Sequence, residues 1–269
     1  MTDAQGVDPR LIEMFDRQSA EFFQTAQDRP WAEIHVDDDV IWGTTGIPIA
    51  AFNGATNARF SEANADERIE AILGSFRERR IDMSWFVGPT STPTGLADRL
   101  AAHGLAPSEP EPGMACSLAG WSPPPPADDV AIELVTDDDA FHDATRVMFA
   151  GFEMPEAVMP MFEERYRSFC VGPDAIQRVF LARLDGQPVA TSLGFVLDGV
   201  VGIYNVATIP EVRRRGAGAA VTVAAMADGR ARGAHAAILE SSTMGRSLYE
   251  RLGFRQVCEV TVLAGAFSE

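Results

Sequence analysis

Apolar residues recur at helical spacing over residues 9–27, PRLIEMFDRQSAEFFQTAQ, and Asp8 stands where an N-cap would accept free helix N–H groups. Short apolar runs at 32–37, 39–43 and 48–54, broken by acidic and glycine-containing turns, read as strands. Helical period returns over 65–80, with Ile69, Ile72, Leu73 and Phe76 on one face. MSWFV at 83–87 reads as a buried strand, 93–103 as a helix stopped by Gly104, and a last strand falls near 113–119. A similar order follows. A strand at 130–135 precedes helices at 139–149 and 155–169, then strands at 177–184, 188–197 and 200–209. Asp185-Gly186 and Asp198-Gly199 separate these last three strands; Asp-Gly suits the left-handed backbone of two-residue hairpins, so all three should run antiparallel. A helix from Gly216 to about Arg232, a strand at 236–239, a short helix at 245–252 and closing strands within 254–264 complete the pattern.

The main interruption is Trp121-Ser122-Pro123-Pro124-Pro125-Pro126-Ala127-Asp128-Asp129, since four consecutive prolines continue neither a helix nor a central strand. It divides the chain into expected domains at 1–121 and 129–269, joined by a linker at 122–128. The segments WFVGPTSTPTGLADRLAAHG (85–104) and ILESSTMGRSLYERLG (238–253) both read strand, polar turn, then an L-x-x-R-L helix ending in glycine. With the matching element order, this points to a diverged tandem duplication.

Composition narrows the function. The 269 residues carry a net charge of −17 and contain no lysine, which argues against a nucleic-acid partner, because such binding needs a basic surface. No apolar run reaches the length of a membrane span, and acidic residues stand near the N-terminus where a secretion signal would be basic, so the expected location is the cytoplasm without membrane association. Cys116, Cys170 and Cys258 lie far apart, as do His35, His103, His142 and His235, so neither a disulfide framework nor a metal site is expected.

The stretch from Val206 to Ala220, VATIPEVRRRGAGAA, carries candidate chemistry. An apolar strand ends, Pro210 halts its pairing, Arg213, Arg214 and Arg215 follow, and Gly216 and Gly218 open a helix. Free N–H groups and the positive end of the helix dipole make such a start an anion cradle, suited to a pyrophosphate. A nucleotide P-loop would require lysine after its glycines. The dinucleotide fingerprint fails at Val221, where a third glycine would stand, and too little chain follows for a doubly wound sheet.

Arg213-x-x-Gly216-x-Gly218 after an apolar strand, followed by Leu248-Tyr249-Glu250-Arg251-Leu252-Gly253-Phe254, resembles the two landmarks of the GCN5-related N-acetyltransferase (GNAT) superfamily. The resemblance covers about residues 129–269. It implies an α/β (α+β) fold of two GNAT-like domains, each a mixed, mostly antiparallel sheet flanked by helices. It also implies acetyl-CoA as co-substrate, with the pantetheine arm along Val206, Ala207 and Thr208. The pyrophosphate would sit on main-chain N–H groups of Arg214 to Ala219, including Ala217, with Arg213 also binding the cofactor, and Ser242 would stand where relatives often carry asparagine. Tyr249 would be the general acid that protonates the departing thiolate, because a phenol can donate to a thiolate when close and oriented. Tyr204 and Asn205 occupy the strand positions where relatives often place a carboxylate base; Glu240 and Glu153 are the alternative candidates. The acceptor would be an amine of a small molecule or peptide, in a pocket built by helices 139–169.

The N-terminal half has Asn57-Ala58-Arg59-Phe60-Ser61-Glu62-Ala63-Asn64 where a phosphate loop would stand, with Asp66 nearby, and Ala97 at the tyrosine position. It reads as a degenerate copy supporting an active C-terminal domain. The rival reading is a non-catalytic acyl-CoA-binding or regulatory module that uses the same cradle without turnover.

Overall fold

The computed structural model describes residues 8–125, 129–172 and 174–268; Pro126, Ala127 and Asp128 of the expected linker lie outside the described residues. In chain order the first elements are α1 (Pro9–Gln24), β1 (Glu33–Val36), β2 (Ile41–Thr44), β3 (Asn53–Thr56), α2 (Ala65–Arg79), β4 (Met83–Val87), α3 (Leu96–Ala102), β5 (Ala106–Pro107) and β6 (Glu111–Ser117). Then come β7 (Val130–Leu134), α4 (Asp138–Gly151), α5 (Met159–Cys170), β8 (Gln177–Leu184), β9 (Gln187–Leu197) and β10 (Val200–Thr208). The last are α6 (Ala217–Ala231), β11 (Ala236–Glu240), α7 (Arg246–Arg251) and β12 (Arg255–Gly265). Among the described residues, no helix is long and apolar enough to cross a membrane.

The chain forms two compact units, Met1–Gly113 with Gln256–Glu269, and Met114–Arg255. This departs from the linear division expected from the proline run. The last strand, β12, pairs antiparallel with β4 and β5 and buries Val260 and Leu263, the latter in the core of the first unit. Alternation of apolar residues marks a strand but does not say which sheet it joins.

In the first unit the strand order is β1-β2-β3-β4-β12, with only β3 and β4 parallel. Ile69, Ile72, Leu73 and Phe76 of α2 are all buried in its core around Trp85, as their spacing predicts. Asp8 caps α1 by accepting from the Arg10 N–H at 3.0 Å. The strand expected at 48–54 is instead a 3-10 turn at Ala50–Phe52 followed by β3. Buried Asn53 forms that corner: its amide donates to the Ile47 and Ile49 carbonyls at 2.9 and 3.1 Å, and its oxygen accepts from the Thr44 hydroxyl at 2.6 Å. Helix α3 begins at Leu96, three residues later than expected, after Gly95 at φ +80°.

In the second unit β7 to β10 form an antiparallel meander, and β11 adds to β10 in parallel. Both Asp-Gly turns have positive φ at each residue, as the hairpin reading requires. Alternate side chains serve opposite faces. Phe180, Ala182, Val201 and Ile203 pack with Val221, Ala225 and Met226 of α6, whereas Val179, Thr191 and Leu193 face a cavity lined by α4 and α5. The result is a largely antiparallel mixed sheet between helices.

Candidate active site

The second unit's sheet parts where its two parallel strands separate. Pairing of β10 with β11 covers Val200↔Ala236, Val201↔Ala237 and Gly202↔Ile238 and ends there, although β10 runs on to Thr208 and β11 to Glu240. On its other edge β10 stays paired with β9 as far as Thr208↔Ala190. Val206, Ala207 and Thr208 therefore present a strand edge toward the gap, the kind of edge an extended ligand can join as an added strand.

A bulge interrupts β10 at this point. Tyr204 faces Leu193, but the next pair is Ala207↔Thr191, so β10 carries an extra residue, and Asn205 takes φ +51°. Asparagine tolerates left-handed backbone better than most residues. A lone Asn between Tyr204 and Val206 in an apolar strand was the available signal, and it was not read as a bulge.

Beyond β10, a 3-10 turn at Pro210–Val212 leads into the arginine run, and the chain enters α6 through two left-handed residues, Arg214 at φ +68° and Gly216 at φ +88°. No side chain caps α6; Ala220 makes the first helical bond, to the Gly216 carbonyl. The N–H groups of Ala217, Gly218 and Ala219 are thus left free by helix geometry and point out of its N-terminus. Gly218 has a packing reason of its own, since a Cβ there would lie 3.1 Å from Thr208 Oγ1.

The three arginines divide. Arg214 and Arg215 are exposed, whereas the Arg213 guanidinium lies against the Thr208 carbonyl at 3.3 Å and the Gly151 carbonyl at 3.5 Å. Arg213 therefore ties the end of β10 to the end of α4 instead of extending into solvent beside the helix start.

Tyr249 on α7 is buried, with its ring edge-on to Phe254 at 6.0 Å. A Cβ at Gly245 would come within 2.9 Å of that ring, so glycine there lets it settle against the turn. Burial pushes the Tyr249 phenol up to about 12. It stays protonated at any physiological pH, as a donor must. Ser242 is exposed and its hydroxyl accepts from the Gly245 N–H at 3.2 Å.

Glu240, at the end of β11, is half-buried, and its charge reaches the Tyr204 phenol. Burial first, and that carboxylate second, hold Tyr204 well above the ordinary phenol value. Glu153 lies on the surface after α4, at φ +55°, lining a groove with His142, Arg146 and Ile209. Of the two candidate bases, Glu240 is the one beside the parted strands.

With this geometry, the relatives can be considered. Residues 126–238 match the family model of an acetyltransferase (GNAT) domain. The fold is GNAT-like. A GCN5-related N-acetyltransferase from Kribbella flavida superposes with a TM-score of 0.71 at 22% identity, covering 91% of this chain and 93% of that one. A GCN5-related N-acetyltransferase from Sphaerobacter thermophilus gives 0.61 at 16% identity, covering 97% and 94%. A tandem GNAT protein from the clavulanic acid biosynthesis pathway gives 0.58 at 12% identity, covering 97% and 96%. At such identities the likeness is one of fold. Comparison with curated protein sequences gives no match. The GNAT fold generally supports acyl transfer from acetyl-CoA.

The first unit treats its own parallel pair differently. β3 and β4 pair at Gly54↔Ser84 and Ala55↔Trp85, and beyond them Thr92 bridges to Arg59. The Thr92 N–H donates to the Ala58 carbonyl at 3.0 Å, and the Phe60 N–H donates to the Thr92 carbonyl at 3.2 Å. Fully buried Asp16 anchors the loop before Thr92, accepting from the Thr90 N–H and hydroxyl, both at 2.9 Å.

Proposed function

We propose that the second unit is an N-acetyltransferase that moves acetyl from acetyl-CoA to an amine. The observation that carries this is the uncapped start of α6, reached through Arg214 and Gly216, at the end of a strand whose edge toward β11 is unpaired beyond Gly202. Acetyl-CoA fits the donors present: free N–H groups of Ala217 to Ala219 for the pyrophosphate, Arg214 and Arg215 for charge, and the edge of Val206, Ala207 and Thr208 for the pantetheine amides. Ser242 has a hydroxyl near the end of β11 to offer the same arm.

In the reaction a neutral amine nitrogen attacks the thioester carbonyl. The N–C bond forms, the C–S bond breaks, and the sulfur leaves as a thiolate that takes one proton while the nitrogen gives one up. Tyr249 is the proposed donor to the thiolate. Glu240, through its proximity to Tyr204, is the proposed acceptor of the amine proton. Arg213 positions the strand end without touching substrate.

We assign the first unit a supporting role as a degenerate copy. Thr92 holds the place that a pantetheine would take between β3 and β4, and no glycine pair opens α2. The rival reading, a binding module without turnover, draws on the lack of a carboxylate on β10 itself.

The direct test is Gly216→Asp. It places a negative side chain at the proposed pyrophosphate site and strains a φ of +88°, which costs about 1 kcal/mol of stability. Coenzyme A binding by calorimetry should be lost in a variant that remains folded. Unchanged affinity would remove the phosphate loop from the proposal.

A further inference from the structure

A groove of about 580 Å³ runs along α4 and the turn that follows it, within the range of about 300–1,000 Å³ in which small-molecule sites fall. Val147, Phe149, Met154, Met159, Pro188 and Ile209 give it apolar walls. Among the described residues it shares none with the edge Val206–Thr208, with α6, or with Glu240, Ser242 and Tyr249. It is therefore a place apart from the proposed reaction.

Its charges are separated by sign. Arg146 and Glu153 lie seven residues apart, which puts them on one stripe of α4 and its last turn, about 10 Å from each other along the axis. The small side chain of Ala150 stands between them. At one end the carboxylates of Glu153 and Glu156 have no partner among the described residues. At the other, the Arg146 guanidinium lies 3.9 Å from Asp143, whose carboxylate Arg183 already holds at 2.8 Å. His142 is occupied by Glu163 at 2.8 Å.

The backbone singles out Glu153 as well. The Met154 N–H donates to the Phe149 carbonyl at 2.9 Å, a bond that closes a helix through one left-handed residue, and that residue is Glu153 at φ +55°. Glycine takes this conformation freely, whereas any side chain is strained in it. The chain thus carries a carboxylate at the one position of the turn where glycine would be more stable, and that carboxylate lines the groove.

We propose that the groove binds a short peptide with free ends, its ammonium on Glu153 and Glu156 and its terminal carboxylate on Arg146. Extended chain advances about 3.3–3.6 Å per residue, so about three residues span the distance between the charges. A free amino acid is too short to reach both ends, and a simple amine leaves Arg146 unanswered. Apolar side chains of the peptide would lie against the walls. The site does not depend on the acetyl-transfer reading.

The test is calorimetry on the full chain with the tripeptide Ala-Leu-Ala, its N-acetylated form, its C-terminal amide and free leucine. Ala-Leu-Ala should bind at one site, each blocked form at least about threefold more weakly, and leucine at least about tenfold more weakly. Arg146→Gln should remove the difference between the tripeptide and its amide. Glu153→Gly combined with Glu156→Gln should remove the difference between the tripeptide and its acetylated form. Both changes are at exposed positions, so the variants should stay folded. Glu153→Gly alone should weaken the tripeptide while raising the melting temperature, a pair of effects that a merely structural glutamate would not give. No binding of Ala-Leu-Ala at millimolar concentration, equal binding of its free and blocked forms, or an affinity unmoved by either set of substitutions would overturn the proposal.

Discussion

All three tyrosines of this chain, Tyr166, Tyr204 and Tyr249, have phenols raised above their ordinary value by burial, and alkaline titration tests that directly. With an unfolded value near 10 and a folded value of about 12, Tyr249 should be about one-tenth ionised at pH ~11, where an unfolded tyrosine is about nine-tenths ionised. Between those values the folded state holds more protons than the unfolded one, so stability falls as pH rises. The contribution is intact below pH ~10; Tyr249 alone removes about 1.4 kcal/mol by pH ~11 and about 2.7 kcal/mol once both values are passed. Tyr166 and Tyr204 act in the same direction. Because the chain has no lysine, no ammonium side chain titrates in this window. The assay follows phenolate absorbance in the near ultraviolet alongside far-ultraviolet circular dichroism. Phenolate should appear only together with unfolding. One tyrosine-equivalent of phenolate with a midpoint near pH 10, while the dichroism stays native, would refute this account of the site.

Tyr249→Phe should lower kcat by about 10²-fold with little change in coenzyme A affinity, read by steady-state kinetics and calorimetry once an acceptor is in hand; an unchanged kcat with chemistry rate-limiting removes the acid role. Coenzyme A should bind the full chain with one site per molecule by calorimetry, and a second saturable site would overturn the degenerate reading of the first unit. Glu240→Gln should lower kcat most at the acidic end of the pH profile's plateau and leave coenzyme A affinity unchanged; an unaltered profile excludes it as base. Leu263→Ala should cost about 2–5 kcal/mol in urea unfolding, because it empties a fully buried position of β12, and a loss below about 1 kcal/mol would contradict that strand's place in the first core.

Much of the fold was legible because periodicity and turn chemistry agree locally. The α2 face, MSWFV, and the meander with its two Asp-Gly turns appear where the pattern puts them. The failures share a cause, which is that they depend on partners distant in sequence. Asn53 converts an apolar run into a corner by bonding carbonyls around it, and β12 is claimed by a sheet begun some two hundred residues earlier. For the site, Gly216 and Gly218 announce the helix entry, since left-handed backbone and close strand contact each require them. Arg213 could not be told from Arg214 and Arg215 by its place in the run, because its partners are the Thr208 carbonyl and the distant Gly151 carbonyl.

The place of β12 also sets an order of events during synthesis. The first unit's chain is nearly all made before any of the second unit emerges, yet the strand that completes its sheet is translated after Arg255. At ribosomal speeds of roughly 5–20 residues per second, the intervening chain of about 140 residues takes on the order of 10 to 30 seconds. Throughout that interval β4 has one edge open where β12 will later pair. The nascent first half is thus a sheet with an unfilled place, and its completion is timed by the manufacture of its neighbour.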